Sequence, residues 1–195
     1  MKQYLNLFFS SILAGICISI GCIVNIMSGG GVIGAILFTF GLITVVHYKY
    51  ALYTGTAGFV NSLPEIVKLF VVILIGNAFG CLIVSYLASY SIPDIVSGVN
   101  GIVCGRLNFT PTQAFVRAIF CGFLMTTAVK FARENRWLPL LFAVPVFILA
   151  GFYHSIADSF YFFASTHFSQ VKYHYILEIF GNFVGCNLYR IKFLD

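Results

Sequence analysis

The side chains best suited to chemistry lie inside a long apolar stretch towards the carboxyl end of the chain. His154 stands in the segment Gly151-Phe152-Tyr153-His154-Ser155-Ile156-Ala157-Asp158, and Asp158 follows it by four positions. On a helix this spacing puts the imidazole and the carboxylate on one face. An imidazole gains or loses a proton near neutral pH. The carboxylate would orient the ring or stabilise its charged form; alternatively, Asp158 caps backbone amides at the start of a helix.

The composition requires these groups to lie within a membrane. Of the 195 residues, 60% are hydrophobic and 9% are charged, and the mean hydropathy is +0.97. A soluble domain carries about a quarter charged residues, so a soluble globular enzyme is excluded and the apolar surface must face a lipid bilayer. An ionisable side chain in a membrane span is costly and is functional by default. This favours a functional role for His154 over a merely structural one.

Charge and cysteine usage give no sign of nucleic-acid, metal or cofactor binding. The net charge is +5, but the basic residues are scattered rather than clustered, so they do not form a nucleic-acid footprint. The six cysteines lack metal-binding spacing, and five of them lie inside apolar runs as small packing residues. We predict neither a cofactor nor an enzymatic activity.

Six apolar windows predict six bilayer crossings, at about 20 residues each. They cover residues 7–27, 31–60, 66–88, 112–131, 138–164 and 174–190. If they alternate across the membrane, one side collects Lys2, Lys68, Lys130, Arg133, Arg136, Arg190 and Lys192, against Arg106 and Lys172 on the other. The positive-inside rule then places both termini in the cytoplasm of a multi-pass protein of the cell (inner or plasma) membrane.

The two halves of the chain echo one another. Gly76-Asn77-Ala78-Phe79-Gly80-Cys81 recurs as Gly181-Asn182-Phe183-Val184-Gly185-Cys186, and Leu52-Tyr53-Thr54 aligns with Phe152-Tyr153-His154. Three spans per half make the second half insert upside down relative to the first. We therefore predict an all-α integral membrane protein with six transmembrane helices in an inverted three-plus-three repeat. The halves cover about residues 1–90 and 106–195 of a single transmembrane domain.

The second and fifth windows are too long and too interrupted to be single helices. Their interruptions fall at residues 47–55 and 151–158, and backbone freed there must line a water-accessible cavity or be buried in protein. Paired broken helices mark the site of many transport proteins. Half-helices resuming after Gly55 and after Ser155 would aim their amides at the bilayer centre, which favours an anion or an oxygen-rich solute.

Three further polar residues lie in the spans. Asn77 and Asn182 can bridge freed backbone through their side-chain amides, and Asn182 is the better candidate to touch a solute. Glu178, one turn before Asn182, is interpreted as a structural partner of Lys49 or Arg117. Glu178 shares the spans with only one other carboxylate, so the acidic ring of a cation pore is not predicted.

As a set, these motifs resemble the formate/nitrite transporter family. Segment 151–158 resembles that family's fifth-helix signature, G-[FY]-E-H-S-[IV]-A-N, and Ala51-Leu52-Tyr53-Thr54-Gly55 is similar to its second-helix loop, [DE]-L-F-T-[SG]. Both G-N-x-x-G elements and the order of all features also agree. The resemblance implies an aquaporin-like six-helix protomer in a homopentamer with one pore per subunit. It also implies passage of small monovalent anions or their acids, such as formate, nitrite, hydrosulfide and lactate.

The resemblance assigns roles to individual positions. His154 matches the central pore histidine, Thr54 the threonine facing it, and Asn182 the asparagine that completes the polar centre. The hydrophobic constrictions correspond to Phe38, Leu42 and Leu52 on the inner side and to Tyr53, Met125 and Phe147 on the outer side. Arg106 corresponds to the lysine of the outer vestibule and keeps its charge.

Four positions depart from the family pattern. Tyr153 and Ala51 stand where the family carries acidic residues, and Gly122 stands where the fourth helix often has asparagine. Asp158 replaces the asparagine that follows the histidine. An ionised carboxylate near the central histidine would oppose an anion there, so Asp158 bears directly on the choice of substrate.

We expect a channel or transporter in which a small anion enters past Arg106 and acquires a proton, from water or through His154. As a bare ion it would be strongly penalised in the dry constrictions, so net flux carries H⁺ with the anion. The alternative is a neutral-solute or water facilitator of the same architecture, although no Asn-Pro-Ala box occurs. A haem-binding redox subunit using His47 and His154 is a third interpretation. An intramembrane hydrolase is weaker, because Ser155 and His154 point to different sides of any helix.

Overall fold

The computed structural model describes residues 2–191, which form helices and turns without a strand. The helices are α1 (Lys2–Met27), α2 (Gly31–His47), α3 (Tyr53–Thr56), α4 (Leu63–Lys68), α5 (Ile75–Ser91), α6 (Ile95–Leu107), α7 (Pro111–Arg133), α8 (Leu138–Leu149), α9 (Ser155–Ala164) and α10 (Phe168–Asn187). Short 3-10 turns follow α3 at Ala57–Phe59 and α10 at Leu188–Arg190. A π-helical segment, Leu69–Leu74, makes α4 and α5 one continuous helix. Lys192, counted above with the basic residues, lies outside the described residues.

The outer surface of the helices is apolar, as a membrane protein requires. Three helical stretches, Lys2–Met27, Leu63–Ser91 and Pro111–Arg133, are long and apolar enough to span a membrane, and α2, α6 and α8 are shorter apolar helices. Large side chains remain uncovered: Phe40 is 69% exposed and Phe142 is 63% exposed. Water would strongly disfavour so much apolar surface. The chain is therefore an all-helical membrane protein.

Helix α6 is an element that the apolar windows did not predict. With 13 residues it is too short to cross a bilayer, and its glycines and Arg106 dilute the apolar signal. It packs against α9 through Ile95, Val99 and Val103, which are fully buried and recur every fourth position along one face. This helix carries Arg106 to the centre of the fold.

Helices α2 and α8 end in the same kind of turn. Lys49 and Gly151 both take a left-handed backbone conformation, with φ of 56° and 66°. In each turn the next residue donates its N–H to a carbonyl five positions earlier, at 2.9 Å. A left-handed residue just past a helix closes the last carbonyls in this way and ends the helix. The chain is therefore turned sharply at two related points.

The helices that resume after these turns differ in length. The first begins at Tyr53, two positions before Gly55, and continues for only four residues before a 3-10 turn. The second begins at Ser155 and continues for ten residues. Leu52 and His154, the residues just before them, are extended, with φ of −99° and −107°. Leu52 and His154 thus occupy matching positions at the N-terminal ends of the two resumed helices.

Asn77 on α5 bridges the first break with its side-chain amide. Its Oδ1 accepts the N–H of Tyr53 at 2.8 Å, and its Nδ2 donates to the carbonyls of Ala51 and Ser11 at 2.8 and 2.7 Å. The bonds to Tyr53 and Ala51 satisfy backbone groups that the interrupted helix leaves free. They also tie the break to α1.

Asn182 on α10 bridges the second break in the same way. Its Oδ1 accepts the N–H of Ser155 at 2.9 Å, and its Nδ2 donates to the carbonyls of Tyr153 and Ala118, each at 2.8 Å. Both amide hydrogens are used in backbone bonds. The side chain expected to touch a solute therefore serves the same bridging role as Asn77.

These bonds define the register between the two breaks. Each asparagine accepts the N–H of one residue and donates to the carbonyl of the residue two positions earlier in the chain. The two carbonyls belong to Ala51 and Tyr153, so Ala51 matches Tyr153. Leu52 therefore matches His154. The motif alignment, which paired Leu52 with Phe152, is therefore off by two positions. The motif alignment paired identical residues of the two segments, whereas the hydrogen bonds that set the register cannot be read from the sequence.

Glycines bring the bridging helices into backbone contact. A Cβ at Gly15 would collide with the carbonyl of Asn77, and a Cβ at Gly122 would collide with that of Asn182. Small residues at such crossings let transmembrane helices approach closely. The departure from the family pattern at Gly122 is thus explained, because a larger side chain would displace the Asn182 bridge.

Candidate functional site

His154 and Thr54 bring the two breaks together at a buried hydrogen bond. His154 Nε2 and Thr54 Oγ1 lie 2.9 Å apart, and the two residues are 2% and 0% exposed. One comes from the extended residue before α9 and the other from α3. A buried polar contact therefore joins the two breaks, between the two side chains that the family resemblance placed opposite one another.

The other ring nitrogen of His154 caps helix α9. Nδ1 accepts the backbone N–H of Ala157 at 3.1 Å, which makes Nδ1 the unprotonated nitrogen of the neutral ring. The hydrogen is then on Nε2, where it is donated to Thr54 Oγ1. Protonation of Nδ1 would break the cap.

Two cavities approach this pair. The Arg106 cavity has a volume of 310 Å³, and its lining includes Asn25, Phe38, Arg106, Arg117, Phe147, Tyr153 and Tyr161. The Arg133 cavity has a volume of 650 Å³, and its lining includes Leu42, His47, Lys49, Leu52, Gly55 and Arg133. Tyr153 precedes His154 in the chain, whereas Gly55 follows Thr54. The chain neighbours of the polar pair thus line different cavities, whereas His154 and Thr54 themselves line neither.

Apolar side chains predicted for the constrictions line both cavities. The Phe147 ring stacks on the His154 imidazole with centroids 5.4 Å apart, and Phe38 meets Phe147 edge to face at 5.8 Å. Phe38 therefore lies with Phe147 on the Arg106 side, not with Leu42 as the resemblance implied. Leu42 is one helical turn further along α2, and it lines the Arg133 cavity together with Leu52.

Two other predicted constriction residues lie in the protein interior. The ring of Tyr53 packs against Phe70, and its hydroxyl donates to the carbonyl of Ile179 at 2.9 Å. Tyr53 lines neither of the two cavities. Met125 is 1% exposed within the main apolar core.

Arg106 and Asp158 form a buried ion pair that the sequence did not predict. Arg106 Nη2 donates to Asp158 Oδ1 at 2.9 Å, and the guanidinium carbon lies 3.9 Å from the centroid of the Tyr153 ring. The exposed fraction is 14% for the Arg106 side chain and zero for Asp158. The carboxylate makes no hydrogen bond to the imidazole, whose two nitrogens bond to Thr54 and Ala157, and it accepts from Arg106 on α6 instead.

Glu178 lies beside Asp158 rather than beside Lys49 or Arg117. It is fully buried, and its carboxyl group lies within hydrogen-bonding reach of the Asp158 carboxyl. Within residues 2–191, neither Glu178 oxygen accepts a hydrogen bond from a donor group. The two carboxyls and Arg106 thus form one buried cluster, contributed by α6, α9 and α10.

A family profile described as "Formate/nitrite transporter" matches residues 1–191, nearly the whole chain. The chain belongs to the formate/nitrite transporter family. The predicted resemblance is confirmed, and the protein is accordingly a membrane transport protein. No sequence among curated proteins matches this transporter.

Two solved structures share the fold of this transporter. A "Pentameric formate channel with formate bound" aligns with a TM-score of 0.77 and 23% identity, over 100% of this chain and 86% of the other. An "FNT family ion channel" aligns with a TM-score of 0.83 and 18% identity, over 95% of this chain and 87% of the other. At these identities the likeness is one of fold.

Two departures of this transporter from the family pattern lie in one place. Tyr153 stacks on Arg106 where the pattern has an acidic residue, and Asp158 pairs with Arg106 where the pattern has asparagine. A carboxylate is thus absent just before the histidine and present one turn after it. The counter-ion of Arg106 in this chain is Asp158, which follows His154 in the sequence. The acidic residue of the family pattern precedes the histidine.

Sequence reasoning missed the cluster because its members are far apart in the chain. Arg106 and Asp158 are separated by 52 positions, and Arg106 was placed between two spans, in the outer vestibule, rather than on a helix. The available signal was a balance of charges: two carboxylates in apolar segments require a cation or a proton nearby. Arg106, assigned to the vestibule, was a basic residue next to an apolar stretch and had no predicted acidic partner.

Proposed function

We propose that this transporter carries a small monovalent anion, or its conjugate acid, between the Arg106 cavity and the Arg133 cavity. The formate, nitrite, hydrosulfide and lactate class provides the candidate substrates. The observation that carries the proposal is the buried contact between His154 and Thr54, with an arginine-lined cavity on either side. We propose transport rather than catalysis as the function of this site.

The proposed protomer is a single transmembrane domain with six spans in an inverted repeat, aquaporin-like, with broken second and fifth helices. Its halves cover about residues 1–90 and 106–195. Support comes from the matching turns at Lys49 and Gly151 and the matching bridges from Asn77 and Asn182. A homopentamer is proposed because the similar formate channel is pentameric.

Both termini are proposed to lie on the cytoplasmic side of the cell membrane. Basic residues from separate helices gather at one end: Arg133 donates to the carbonyl of Gly55, and Arg190 donates to that of Gly58, each at 3.4 Å. An excess of Lys and Arg is typical of the cytoplasmic side. The Arg133 cavity would then open inwards and the Arg106 cavity outwards.

Anion entry is favoured by the basic side chains of both cavities. Arg106 and Arg117 line one cavity, and Lys49 and Arg133 line the other. Clefts lined by one sign of charge raise the local concentration of the opposite ion. The cavities would therefore enrich small anions from either side.

Passage between the cavities is proposed to require a proton. Phe38 and Phe147 on one side, and Leu42 and Leu52 on the other, offer no compensation for a bare charge. Protonation of the anion removes most of that penalty. His154 then offers its Nε2 hydrogen and Thr54 its hydroxyl to the neutral acid at the centre.

The geometry of His154 favours water as the source of that proton. A shuttle through the ring would have to protonate Nδ1, which is engaged with the N–H of Ala157. In the neutral ring, the Nε2 hydrogen can be offered in a hydrogen bond but not given away without replacement. His154 thus mediates proton-linked transport as a hydrogen-bond donor to the permeating acid.

A neutral-solute or water facilitator is the second candidate, and one observation favours it. The Asp158 carboxylate neutralises Arg106, one of the two arginines that line this cavity. This weakens the attraction for anions on that side, whereas a neutral solute would be unaffected. Arg117 and the Arg133 cavity keep the anion proposal ahead.

The test is flux into proteoliposomes that contain the purified transporter. Uptake of formate, nitrite, hydrosulfide and lactate is measured over a pH series, together with internal acidification. We expect at least one of these anions to enter together with H⁺, and entry to slow as pH rises. Osmotic swelling with uncharged solutes, in the absence of anion uptake, would favour the facilitator instead.

A further inference from the structure

A buried pair of carboxyl groups lies behind the Arg106 cavity. Asp158 and Glu178 are both 0% exposed, and each is within hydrogen-bonding reach of the other. Arg106 is the partner of Asp158 in the sole ion pair found within residues 2–191. Asp158 Oδ2 and both oxygens of Glu178 accept from no donor in that part of the chain. Three carboxyl oxygens therefore lack a hydrogen-bond donor.

The charges of the cluster do not balance unless a proton is present. One guanidinium compensates one carboxylate, so a second ionised carboxylate would add an unpaired charge in a site shielded from water. Neighbouring buried carboxyls take up a proton rather than both ionise. That proton also supplies the absent hydrogen bond, because the O–H of one group donates to a free oxygen of the other.

We propose that Asp158 and Glu178 bind one proton between them, at a site separate from His154, and that this proton sets the charge presented to the Arg106 cavity. With the proton bound, the two carboxyls and Arg106 sum to zero. Without it, they sum to one negative charge. The ligand of this second site is a proton, and its loss repels an anion from the cavity. This last consequence rests on the proposed function.

Arg106 connects the buried pair to the permeation pathway. Its side chain is 14% exposed and lines the cavity, whereas the carboxylate it holds is fully buried. Charges separated by a few ångströms interact strongly where water is excluded. A change of one proton behind Arg106 is therefore felt by an anion in front of it.

Other titratable groups around the pair do not alter this balance. They are Cys22 on α1, Cys121 on α7, Tyr153 and His154 in the second break, Tyr161 on α9 and Tyr175 on α10. Thiols and phenols are neutral at physiological pH. His154 meets Asp158 through its backbone carbonyl, at 2.8 Å from the Asp158 nitrogen, and its ring is engaged elsewhere.

The transport test compares Glu178→Gln with the wild type, because glutamine keeps the shape and neutrality of the protonated acid. Glu134→Gln is the matched control, since Glu134 is exposed. The ratio of variant to wild-type anion uptake at each pH cancels the pH dependence of the weak acid itself. We expect this ratio to be near one at acid pH, where the wild-type pair holds its proton. At higher pH, where the wild-type pair loses the proton, the ratio should rise by about tenfold per pH unit. The control should stay near one, and a ratio for Glu178→Gln that does not change with pH would overturn the proposal.

Infrared difference spectra of the reconstituted wild type test the proton site without transport. Raising the pH should remove the carbonyl stretch of a protonated carboxylic acid, and Glu178→Gln should lack this change. If the band is present but no anion is carried, the proton site stands and the proposed function fails. If anions are carried but the wild type shows no such band, the proton site is wrong. The wild-type spectrum decides even if the variant does not fold.

Discussion

The two breaks of this transporter have the same backbone arrangement but carry different side chains. Each follows a left-handed turn, each is bridged by an asparagine through three backbone bonds, and each resumes after an extended residue. That residue is Leu52 in the first break and His154 in the second. The first resumed helix has four residues and the second has ten.

The difference shows how two matching backbone arrangements can surround a single site. Asparagines and glycines preserve the backbone path in both halves, because the freed amides and carbonyls must be satisfied wherever a buried helix breaks. The side chains around that path vary independently. His154, Asp158 and Glu178 all belong to the second half, and the first half contributes Thr54 to their surroundings. One half thus supplies most of the chemistry.

The largest effect is expected from removal of the bridges. Asn77→Ala or Asn182→Ala leaves one N–H and one carbonyl at the break without partners, at about 1–3 kcal/mol each, so we expect a loss of about 2–6 kcal/mol of stability. Denaturant unfolding of the purified protein measures the loss. Asn187→Ala, on the same helix as Asn182 but only half-buried, should cost much less. Unequal losses for Asn77 and Asn182 would contradict the matching of the breaks.

A smaller effect is expected at the helix crossings. A Cβ at Gly80 would collide with the carbonyl of Ile12, and one at Gly185 would collide with that of Ile119. Overpacking of this kind costs about 1–3 kcal/mol, so Gly80→Ala and Gly185→Ala should lower the thermal unfolding temperature by similar amounts. Gly101→Ala is the control, because its Cβ meets open space. Full stability in either crossing variant would show that the helices can separate freely.

The smallest effect is expected at the contact between the two breaks. Thr54→Val removes the hydroxyl from His154 while keeping the side-chain shape. One buried hydrogen bond contributes about 0.5–1.5 kcal/mol, so anion flux should fall by up to about tenfold. Thr54→Ser should retain most of the flux. Initial uptake rates in proteoliposomes make the comparison, and equal rates for valine and serine would remove the hydroxyl from the pathway.

Much of the scaffold was predictable from the sequence, because its signals are local. The paired G-N-x-x-G elements and the interrupted apolar windows identified the bridging asparagines and the two broken segments. The register between the breaks was not predictable, since it depends on which backbone groups Asn77 and Asn182 reach. Helix α6 was missed because it is short and rich in glycine.

The centre of the site was easier to predict than its surroundings. The contact of His154 with Thr54 followed from family motifs that the chain retains. The ion pair of Arg106 with Asp158 arises where the chain departs from the pattern, and Glu178 belongs to none of the family motifs. Only tertiary packing brings Arg106, Asp158 and Glu178 together, so their spacing along the chain does not predict the cluster.

The central claim is that His154 offers the decisive hydrogen bond to a permeating acid. Proteoliposome flux of His154→Ala against the wild type, over a pH series with internal acidification recorded, tests it most directly. A hydrogen bond between neutral groups contributes about 0.5–1.5 kcal/mol, so we predict a loss of up to about tenfold in H⁺-linked anion uptake. Leu52→Ala, at the matching position of the first break, should keep the pH dependence. Unchanged uptake and H⁺ linkage in His154→Ala would contradict the account.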